Sequence, residues 1–144
     1  MQRSITTDHP KESCGLFGVY DVGTAASSIH RGLFAQQHRG QEGSGIVVSD
    51  GEKIRSIKGL GLIDEVFSGE SLAQLPGHLG IGHVRYSTTG SDRIQNVQPL
   101  VVECVDGIWA VAHNGNLTNA YGLRTELVER GCIFQSTSDT ETFI

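Results

Sequence analysis

Two Asp-Gly dipeptides, each placed between short apolar runs, constrain the fold of this chain more than any other feature. They are Asp50-Gly51 and Asp106-Gly107. Asp-Gly is typical of the tight turn of a β-hairpin, because glycine adopts the left-handed backbone conformation that such turns need. The chain is therefore predicted to contain two antiparallel hairpins. Their strands are expected at about 45–49 and 52–58 for the first hairpin, and at about 100–105 and 108–113 for the second.

The remaining elements are predicted from hydrophobic periodicity and from capping and turn residues. We expect strands at 14–20 and 78–86, helices at about 24–40, 62–75 and 117–130, and a further helix beginning at the capping-box sequence Ser138–Glu141. The 144 residues are enough for one domain with a real core. Helices and hairpins in this order favour a mixed α+β domain with mainly antiparallel sheet over a βαβ array.

Charge and hydrophobicity argue against several classes of protein. The formal net charge is −5 and there is no basic run, which argues against nucleic acid as a partner. No apolar run approaches the ~20 residues that span a bilayer. Residues 1–13 lack the hydrophobic centre of a secretory signal and are predicted to be a mobile arm. Neither a membrane nor a nucleic acid is therefore predicted as a partner.

The cysteines and histidines indicate neither a disulfide framework nor a metal site. The three cysteines, Cys14, Cys104 and Cys132, are odd in number and widely spaced, and they form no CxxC motif. This usage favours a reduced, cytoplasmic protein. The six histidines form no spacing typical of metal ligands. No metal or cofactor is predicted for this segment.

Cys14 stands at the head of the first apolar run, between a polar leader and Gly15. One interpretation is a buried structural cysteine at the start of a strand, which is the more common fate of a single cysteine. The other is a cysteine that becomes the first residue of the mature chain. Such a residue combines a thiol with an α-amine whose reference pKa of about 8 suits a general base.

Three further polar groups stand at predicted strand or helix ends, and each has two interpretations. Arg85 is either a surface salt-bridge partner or a planar fork for a carboxylate. Asn114-Gly115 is either a turn, or a pair of donors for an oxyanion through the side chain of Asn114 and the amide of Gly115. Asp139 either stabilises a helix dipole or holds a substrate ammonium.

Together these segments closely resemble the glutaminase domain of the amidophosphoribosyltransferase family. That family belongs to the class II glutamine amidotransferases, which have the N-terminal-nucleophile hydrolase fold. The resemblance covers residues 14–144, and a Gln-His-Arg-Gly-Gln-Glu-Gly stretch separates it from the aminosugar-forming amidotransferases. The segments that carry it are Cys14–Gly18, Gln37–Ile46, Gly82–Thr88, Ala112–Leu117 and Ser138–Glu141.

The resemblance implies a four-layer αββα sandwich, which this chain would leave C-terminally incomplete. It implies that residues 1–13 are a leader cleaved before Cys14, and that 14–144 are the N-terminal part of a type 2 glutamine amidotransferase domain. It also implies that Cys14 attacks the side-chain amide of glutamine while its freed α-amine relays protons. Asn114 and Gly115 would stabilise the oxyanion, and the thioester would then be hydrolysed.

Four further residues are implied to bind the substrate. Arg85 would clamp the α-carboxylate of glutamine, with Thr88 nearby. Asp139 would take the α-ammonium. Tyr86 would belong to a loop that closes over glutamine.

In the family the ammonia travels to a phosphoribosyltransferase domain, which forms phosphoribosylamine in the first step of purine synthesis. The resemblance therefore implies phosphoribosyl pyrophosphate as second substrate, with magnesium and in some members an iron–sulfur cluster. All of these would bind beyond Ile144. A homo-oligomer is implied for the complete enzyme, and Cys104 and Cys132 are expected to be ordinary core thiols.

Three alternatives stay open at this point. The first is a non-catalytic fragment that binds glutamine or serves in assembly. The second is the glutaminase domain of another class II amidotransferase, and the third is a thiol hydrolase with a histidine partner. The last is disfavoured because the resemblance assigns no histidine as base. The 144 residues made alone are expected to be inactive, because a two-sided sheet needs its covering layers.

Overall fold

A computed structural model describes residues 13–86 and 93–144 of the chain. Its strands and α-helices are β1 (Gly15–Val19), α1 (Ala25–Ala35), β2 (Gly43–Ser49), β3 (Ile54–Leu60), α2 (Ile63–Val66), α3 (Gly69–Ala73), β4 (Leu79–Arg85), β5 (Leu100–Cys104), β6 (Gly107–Val111) and α4 (Ala120–Glu129). Short 3-10 helices lie at Gln37–Arg39, Ile94–Asn96 and Asp139–Phe143. Strands follow one another directly at β2–β3 and β4–β6, and all strand pairs in this part of the chain are antiparallel, in agreement with the α+β prediction.

The larger sheet is antiparallel throughout and has the strand order β1-β4-β2-β3. In the β1–β4 pair, Gly15 lies opposite Val84. The residue before Gly15 and the residue after Val84 are therefore neighbours at one end of the sheet. These residues are Cys14 and Arg85, which the sequence separates by the whole first half of the domain.

Helix α1 covers one face of this sheet. Alternate residues of β2, Ile46 and Val48, are fully buried together with Ile29 and Leu33 of α1. Burying a side chain of this size contributes roughly 1.5–3 kcal/mol relative to leaving it exposed. This apolar layer makes the sheet a rigid platform.

Glycines on the opposite face of β2 allow a second layer to approach closely. A Cβ atom at Gly43 would lie 2.8 Å from Val97, and one at Gly45 would collide with the backbone carbonyl of Gln98. The chain after 97–98 continues into the second sheet, the β5–β6 hairpin. Ile108, Trp109 and Ala110 of this hairpin share a groove with Val47 and Ile81 of the larger sheet. The order is therefore helix, sheet, sheet.

Both predicted hairpins are confirmed. Gly51 and Gly107 have φ of 93° and 119°, the left-handed conformation that the turns require. The first turn is longer than predicted, so β3 begins at Ile54 rather than at about 52. The carboxylate of Asp50 accepts hydrogen bonds from the amides of Glu52 and Lys53 and from Arg55. The Arg55 hydrogen bond, followed by the two amides, holds the pKa of Asp50 well below its usual range.

Several predicted helix boundaries are wrong. The single helix expected at 62–75 is two short helices, since Phe67 is extended between them. The helix expected over 24–40 ends at Ala35, and Gly40 has an extended backbone rather than the left-handed one of a helix stop. The helix expected at about 117–130 begins only at Ala120 and ends at Glu129.

The capping box predicted at Ser138–Glu141 is half right. Ser138 caps the 3-10 helix, and its hydroxyl accepts from the amide of Thr140. Glu141 does not return to the amide of Ser138, and its carboxylate instead accepts from the amides of Gln135 and Ser136. Glu141 therefore fastens the chain that precedes the helix.

The prediction that Cys104 and Cys132 are core thiols is wrong. Both are exposed. Cys104 lies at the end of β5 beside the turn, where its thiol donates to the carbonyl of Gly107 at 3.3 Å. Cys132 follows α4, in a stretch where the neighbouring residues are exposed as well.

The tight packing of α1 on β4 gives a test of the fold. Gly82→Ala should destabilise the protein by about 1–3 kcal/mol, because the new Cβ would lie 2.7 Å from Leu33 and still closer to Ile29. Gly122→Ala is the matched control, since Gly122 is inside α4 with open space around it. That change should stabilise by about 0.5–1 kcal/mol through helix propensity. Urea unfolding measures both, and equal effects of the two changes would contradict this packing.

Candidate active site

A polar cavity of about 300 Å³ opens where β1 begins and β4 ends. Five residues singled out in the sequence line it, namely Cys14, Arg85, Tyr86, Gly115 and Asp139. The other lining residues are His83, Asn96, Gln98, His113, Asn116, Ala120, Thr137 and Ser138. The lining therefore combines a thiol, a guanidinium, a carboxylate and two imidazoles.

Cys14 is half-buried, and its thiol faces the backbone of Tyr86, the residue that follows β4. The Sγ atom accepts from the amide of Tyr86 at 3.3 Å and lies 3.5 Å from the carbonyl of Tyr86, to which it donates. A thiol forms weak hydrogen bonds, so these contacts orient it without occupying it strongly. The free cysteine is reachable from the cavity.

The loop after α1 holds the backbone around Cys14. Arg39 donates from Nε to the carbonyl of Cys14 at 3.2 Å and from Nη2 to the hydroxyl of Ser13 at 2.7 Å. A Cβ atom at Gly40 would lie 2.6 Å from the carbonyl carbon of Arg85, so only glycine allows the loop to pack there. Gln37 fastens the loop, because it donates to the carbonyl of Gly40 and accepts from the amide of Ile63.

Arg85 presents an unsatisfied donor. Its Nη1 atom is shielded from solvent and has no hydrogen-bond partner among residues 13–86 and 93–144. A buried guanidinium nitrogen without an acceptor is costly, so such a group is expected to receive an anionic ligand. The planar fork is suited to a carboxylate that binds through two parallel hydrogen bonds.

Asp139 lies in the first turn of the C-terminal 3-10 helix. One of its carboxylate oxygens, Oδ2, accepts from the amide of Leu117 at 2.6 Å. This bond joins the helix to the segment that follows β6. The carboxylate is half-buried and lines the same cavity as Arg85.

Gly115 is packed against the ring of His113. A Cβ atom at this position would lie 2.6 Å from Nε2 of His113, so a larger residue would displace the ring or the backbone. The ring of His113 also packs edge-on against Phe143, with 5.3 Å between the ring centroids. Asn114, between these two cavity-lining residues, is exposed and is not among the described residues that line the cavity.

His83 is the most buried ionisable group of the cavity, and no sequence pattern predicted a role for it. Its side chain is fully buried, and neither ring nitrogen has a hydrogen-bond partner of good geometry in the described part of the chain. The pKa of His83 is lowered from 6.5 to about 4, mainly by burial and in smaller part by the charge of Arg85, while a backbone hydrogen bond with His113 opposes the shift. His83 is therefore neutral at pH 7.

Two polar residues of the 96–98 segment also escaped the sequence analysis. Asn96 is paired with Thr137, and Gln98 with His113 and Thr140. The signal available in the sequence is three amide side chains, Gln95, Asn96 and Gln98, among the four residues before Pro99. Thr88, predicted near the substrate, lies outside the described residues.

No metal site and no membrane span are found in the described residues. Among residues 13–86 and 93–144, no cluster of three or more histidine, cysteine, aspartate or glutamate side chains could hold a metal ion. Over the same ranges, no helix has the length and apolarity to cross a bilayer. We assign no metal-binding role to the residues of the cavity.

Comparison with known proteins identifies the family. Residues 68–144 match the family model described as a glutamine amidotransferase domain. An amidophosphoribosyltransferase of Lacticaseibacillus casei is 52% identical over 92% of this chain, which covers 69% of that protein. This chain belongs to the amidophosphoribosyltransferase family. Another member, from Methanocaldococcus jannaschii, is 52% identical over 89% of this chain but is covered to only 28% of its length.

Solved members of the amidophosphoribosyltransferase family confirm the predicted N-terminal-nucleophile hydrolase fold. An enzyme described as the allosteric regulatory enzyme of purine biosynthesis matches with a TM-score of 0.84 and 48% identity. The glutamine phosphoribosylpyrophosphate amidotransferase of Bacillus subtilis, complexed with ADP and GMP, matches with a TM-score of 0.81 and 48% identity. Each match covers 88% of this chain, which spans 28% and 27% of the two solved chains.

The buried His83 makes stability depend on pH. The pKa of His83 is about 4 in the folded chain and 6.5 as a free side chain. Between pH 4 and 6.5 the unfolded state therefore binds a proton at His83 that the folded state does not bind. Stability should therefore fall as the pH decreases through this window, by roughly 2–4 kcal/mol. His83→Gln should remove this part of the slope. Urea unfolding at several pH values measures it, and an unchanged slope in the variant would mean that the pKa of His83 does not differ between the folded and unfolded states.

Proposed function

We propose that this chain is the glutamine-hydrolysing part of an amidophosphoribosyltransferase, which converts glutamine to glutamate and ammonia. One observation carries the proposal. The thiol of Cys14, the guanidinium of Arg85 and the carboxylate of Asp139 line one cavity, and Nη1 of Arg85 has no hydrogen-bond partner among the described residues. A glutamine molecule offers the complementary groups, namely an electrophilic amide, an α-carboxylate and an α-ammonium.

In the proposed reaction, Cys14 bonds through Sγ to the side-chain carbonyl carbon of glutamine. The thiol proton passes to the α-amine of Cys14, which is free once residues 1–13 are removed, and then to the departing nitrogen. The carbon–nitrogen bond breaks, and ammonia leaves. Water then attacks the thioester, and glutamate is released while the proton returns to sulfur. An α-amine has the reference pKa, about 8, that this relay needs.

Two donors are proposed for the negative oxygen of each tetrahedral intermediate. They are the amide of Gly115 and the side chain of Asn114. Fixed donors of this kind stabilise charge that develops only in the transition state. Asn114 is exposed in the structure described here, so this role requires its side chain to turn toward Cys14 when glutamine binds.

Binding is assigned to the opposite groups of the cavity. Arg85 takes the α-carboxylate of glutamine, and Asp139 takes the α-ammonium with the oxygen that Leu117 leaves free. Tyr86 follows Arg85 at the cavity edge and is proposed to belong to a segment that closes over the substrate. Thr88 completes the proposed set of binding residues.

The remaining reaction is assigned to parts of the protein beyond this sequence. Ammonia would react there with phosphoribosyl pyrophosphate, with magnesium and in some relatives an iron–sulfur cluster, in a homo-oligomer. Such an enzyme makes phosphoribosylamine for purine synthesis. A cytoplasmic location stays a prediction from cysteine usage, and three relatives in Arabidopsis thaliana are named as chloroplastic.

The nucleophile is tested in the full natural protein that carries this sequence. Cys14→Ser should abolish glutamine-dependent product formation and leave ammonia-dependent formation intact, because serine is a much weaker nucleophile near neutral pH. A variant with the leader locked on should behave in the same way. Cys104→Ser and Cys132→Ser are the matched controls, since both thiols are exposed and outside the cavity. Glutamine-dependent activity that survives in Cys14→Ser would refute the proposal.

The carboxylate site is tested by Arg85→Lys in the same protein. A point ammonium cannot replace the two parallel hydrogen bonds of a guanidinium fork. The affinity for glutamine should fall about ten- to a hundredfold, the equivalent of roughly 1.5–3 kcal/mol for a charged hydrogen bond. Isothermal titration with glutamine measures the change. An unchanged affinity would show that Arg85 does not hold the substrate.

A further inference from the structure

We propose that Gln98 is a positioning residue that couples the substrate-binding half of the cavity to its oxyanion half. The inference rests on the function proposed above and deepens it. Gln98 stands between a short 3-10 helix and β5, and its side chain is only 7% exposed. It was not selected from the sequence for any role.

Both polar atoms of the Gln98 amide are used by the protein. Its Oε1 accepts from the backbone amide of His113 at 2.6 Å, and its Nε2 donates to the hydroxyl of Thr140 at 2.9 Å. Because each atom already has a partner, Gln98 acts through its neighbours rather than on the substrate. These two neighbours belong to different segments of the chain.

The two partners each adjoin one of the proposed functional groups. His113 directly precedes Asn114-Gly115, the proposed oxyanion donors. Thr140 directly follows Asp139, the proposed ammonium site. A shift of the Gln98 side chain would therefore move both groups at once, through single backbone steps.

The rigid sheet fixes the position of Gln98 itself. The backbone carbonyl of Gln98 packs so closely on β2 that no side chain fits at Gly45. Beside it, the ammonium of Lys58 in β3 donates to the carbonyl of Val97 at 3.0 Å. The side-chain amide of Gln98 is therefore held in a fixed position relative to the sheet whose strand β4 ends at Arg85.

A second bond closes the network between the same two segments. Leu117, which follows the oxyanion residues, donates its amide to Asp139 at 2.6 Å. Without Gln98, these two segments would still contact one another, but neither would be tied through this amide to the sheet. Their joint position relative to Cys14 and Arg85 would then be less well defined.

The test uses the full natural protein and separates the effects of the two hydrogen bonds of Gln98, one with the amide of His113 and one with the hydroxyl of Thr140. Gln98→Met keeps the size of the side chain and removes both hydrogen bonds. It should lower kcat for glutamine about 10- to 100-fold, as expected for a displacement near 1 Å, and raise KM as well. Thr140→Val removes only the hydrogen bond between Gln98 and the residue next to Asp139. It should therefore raise KM more than it lowers kcat.

Two further variants serve as control and rescue. Gln95→Met makes the same substitution three residues earlier at an exposed position, and should leave both constants within twofold of the natural protein. Thr140→Ser keeps the hydroxyl, and should restore the KM that Thr140→Val loses. Ammonia-dependent turnover should stay unchanged in all four variants, because it bypasses this cavity.

The outcomes distinguish this inference from the proposed function. If kcat and KM of Gln98→Met stay within twofold of the natural values while Cys14→Ser is inactive, Gln98 has no positioning role and the proposed function stands. If Gln98→Met does not fold, the Thr140 pair decides, and equal KM values for Val and Ser would overturn the coupling. Glutamine hydrolysis that persists in Cys14→Ser would overturn the proposed function and this inference together.

Discussion

The antiparallel pairing of β1 with β4 is the constraint on which the rest of the candidate site depends. It brings Cys14 and Arg85 to the same end of the sheet, although they lie 71 positions apart, since the register sets Gly15 against Val84. The distance between the thiol and the guanidinium is therefore set by the backbone hydrogen bonds of the β1–β4 pair and not by flexible loops. Buried residues of α1 and β2 hold that sheet from behind.

The other wall of the cavity is built in a different way. Its groups lie on irregular chain after β6 and on a 3-10 helix, and side-chain hydrogen bonds from Asn96, Gln98 and Asp139 hold these segments together. Glycines in β2 let the 97–98 segment reach the sheet. The site therefore has one rigid wall and one wall whose geometry depends on a few buried amides.

Local sequence signals predicted much of the fold. Turn chemistry located both hairpins, because Gly51 and Gly107 need a backbone that other residues avoid. Periodicity failed where tertiary contacts decide the outcome. Gly40 is predicted to be a helix stop, but a glycine is required there by its contact with the backbone of Arg85. The expectation that Cys132 is a core thiol followed from the family resemblance, and it is wrong because the thiol is exposed.

The site residues likewise divide into those that the sequence predicted and those that only the structure revealed. The resemblance selected Cys14, Arg85 and Asp139, which do line one cavity. It did not select His83 or Gln98. No local sequence pattern distinguishes a buried histidine, or a glutamine that joins two segments by hydrogen bonds, from an ordinary residue of a strand. Their importance follows only from burial and from contacts between segments that are distant in the sequence.

If Cys14 carries the γ-glutamyl group during turnover, acid quenching followed by peptide mass spectrometry will detect the thioester. The full natural protein is mixed with glutamine, quenched within one turnover, digested and compared with a sample that received no glutamine. We predict a peptide that begins at Cys14, without the leader, and carries one γ-glutamyl thioester, while the peptides containing Cys104 and Cys132 stay unmodified. A γ-glutamyl group on another residue, or turnover with residues 1–13 still attached to the labelled peptide, would contradict this prediction.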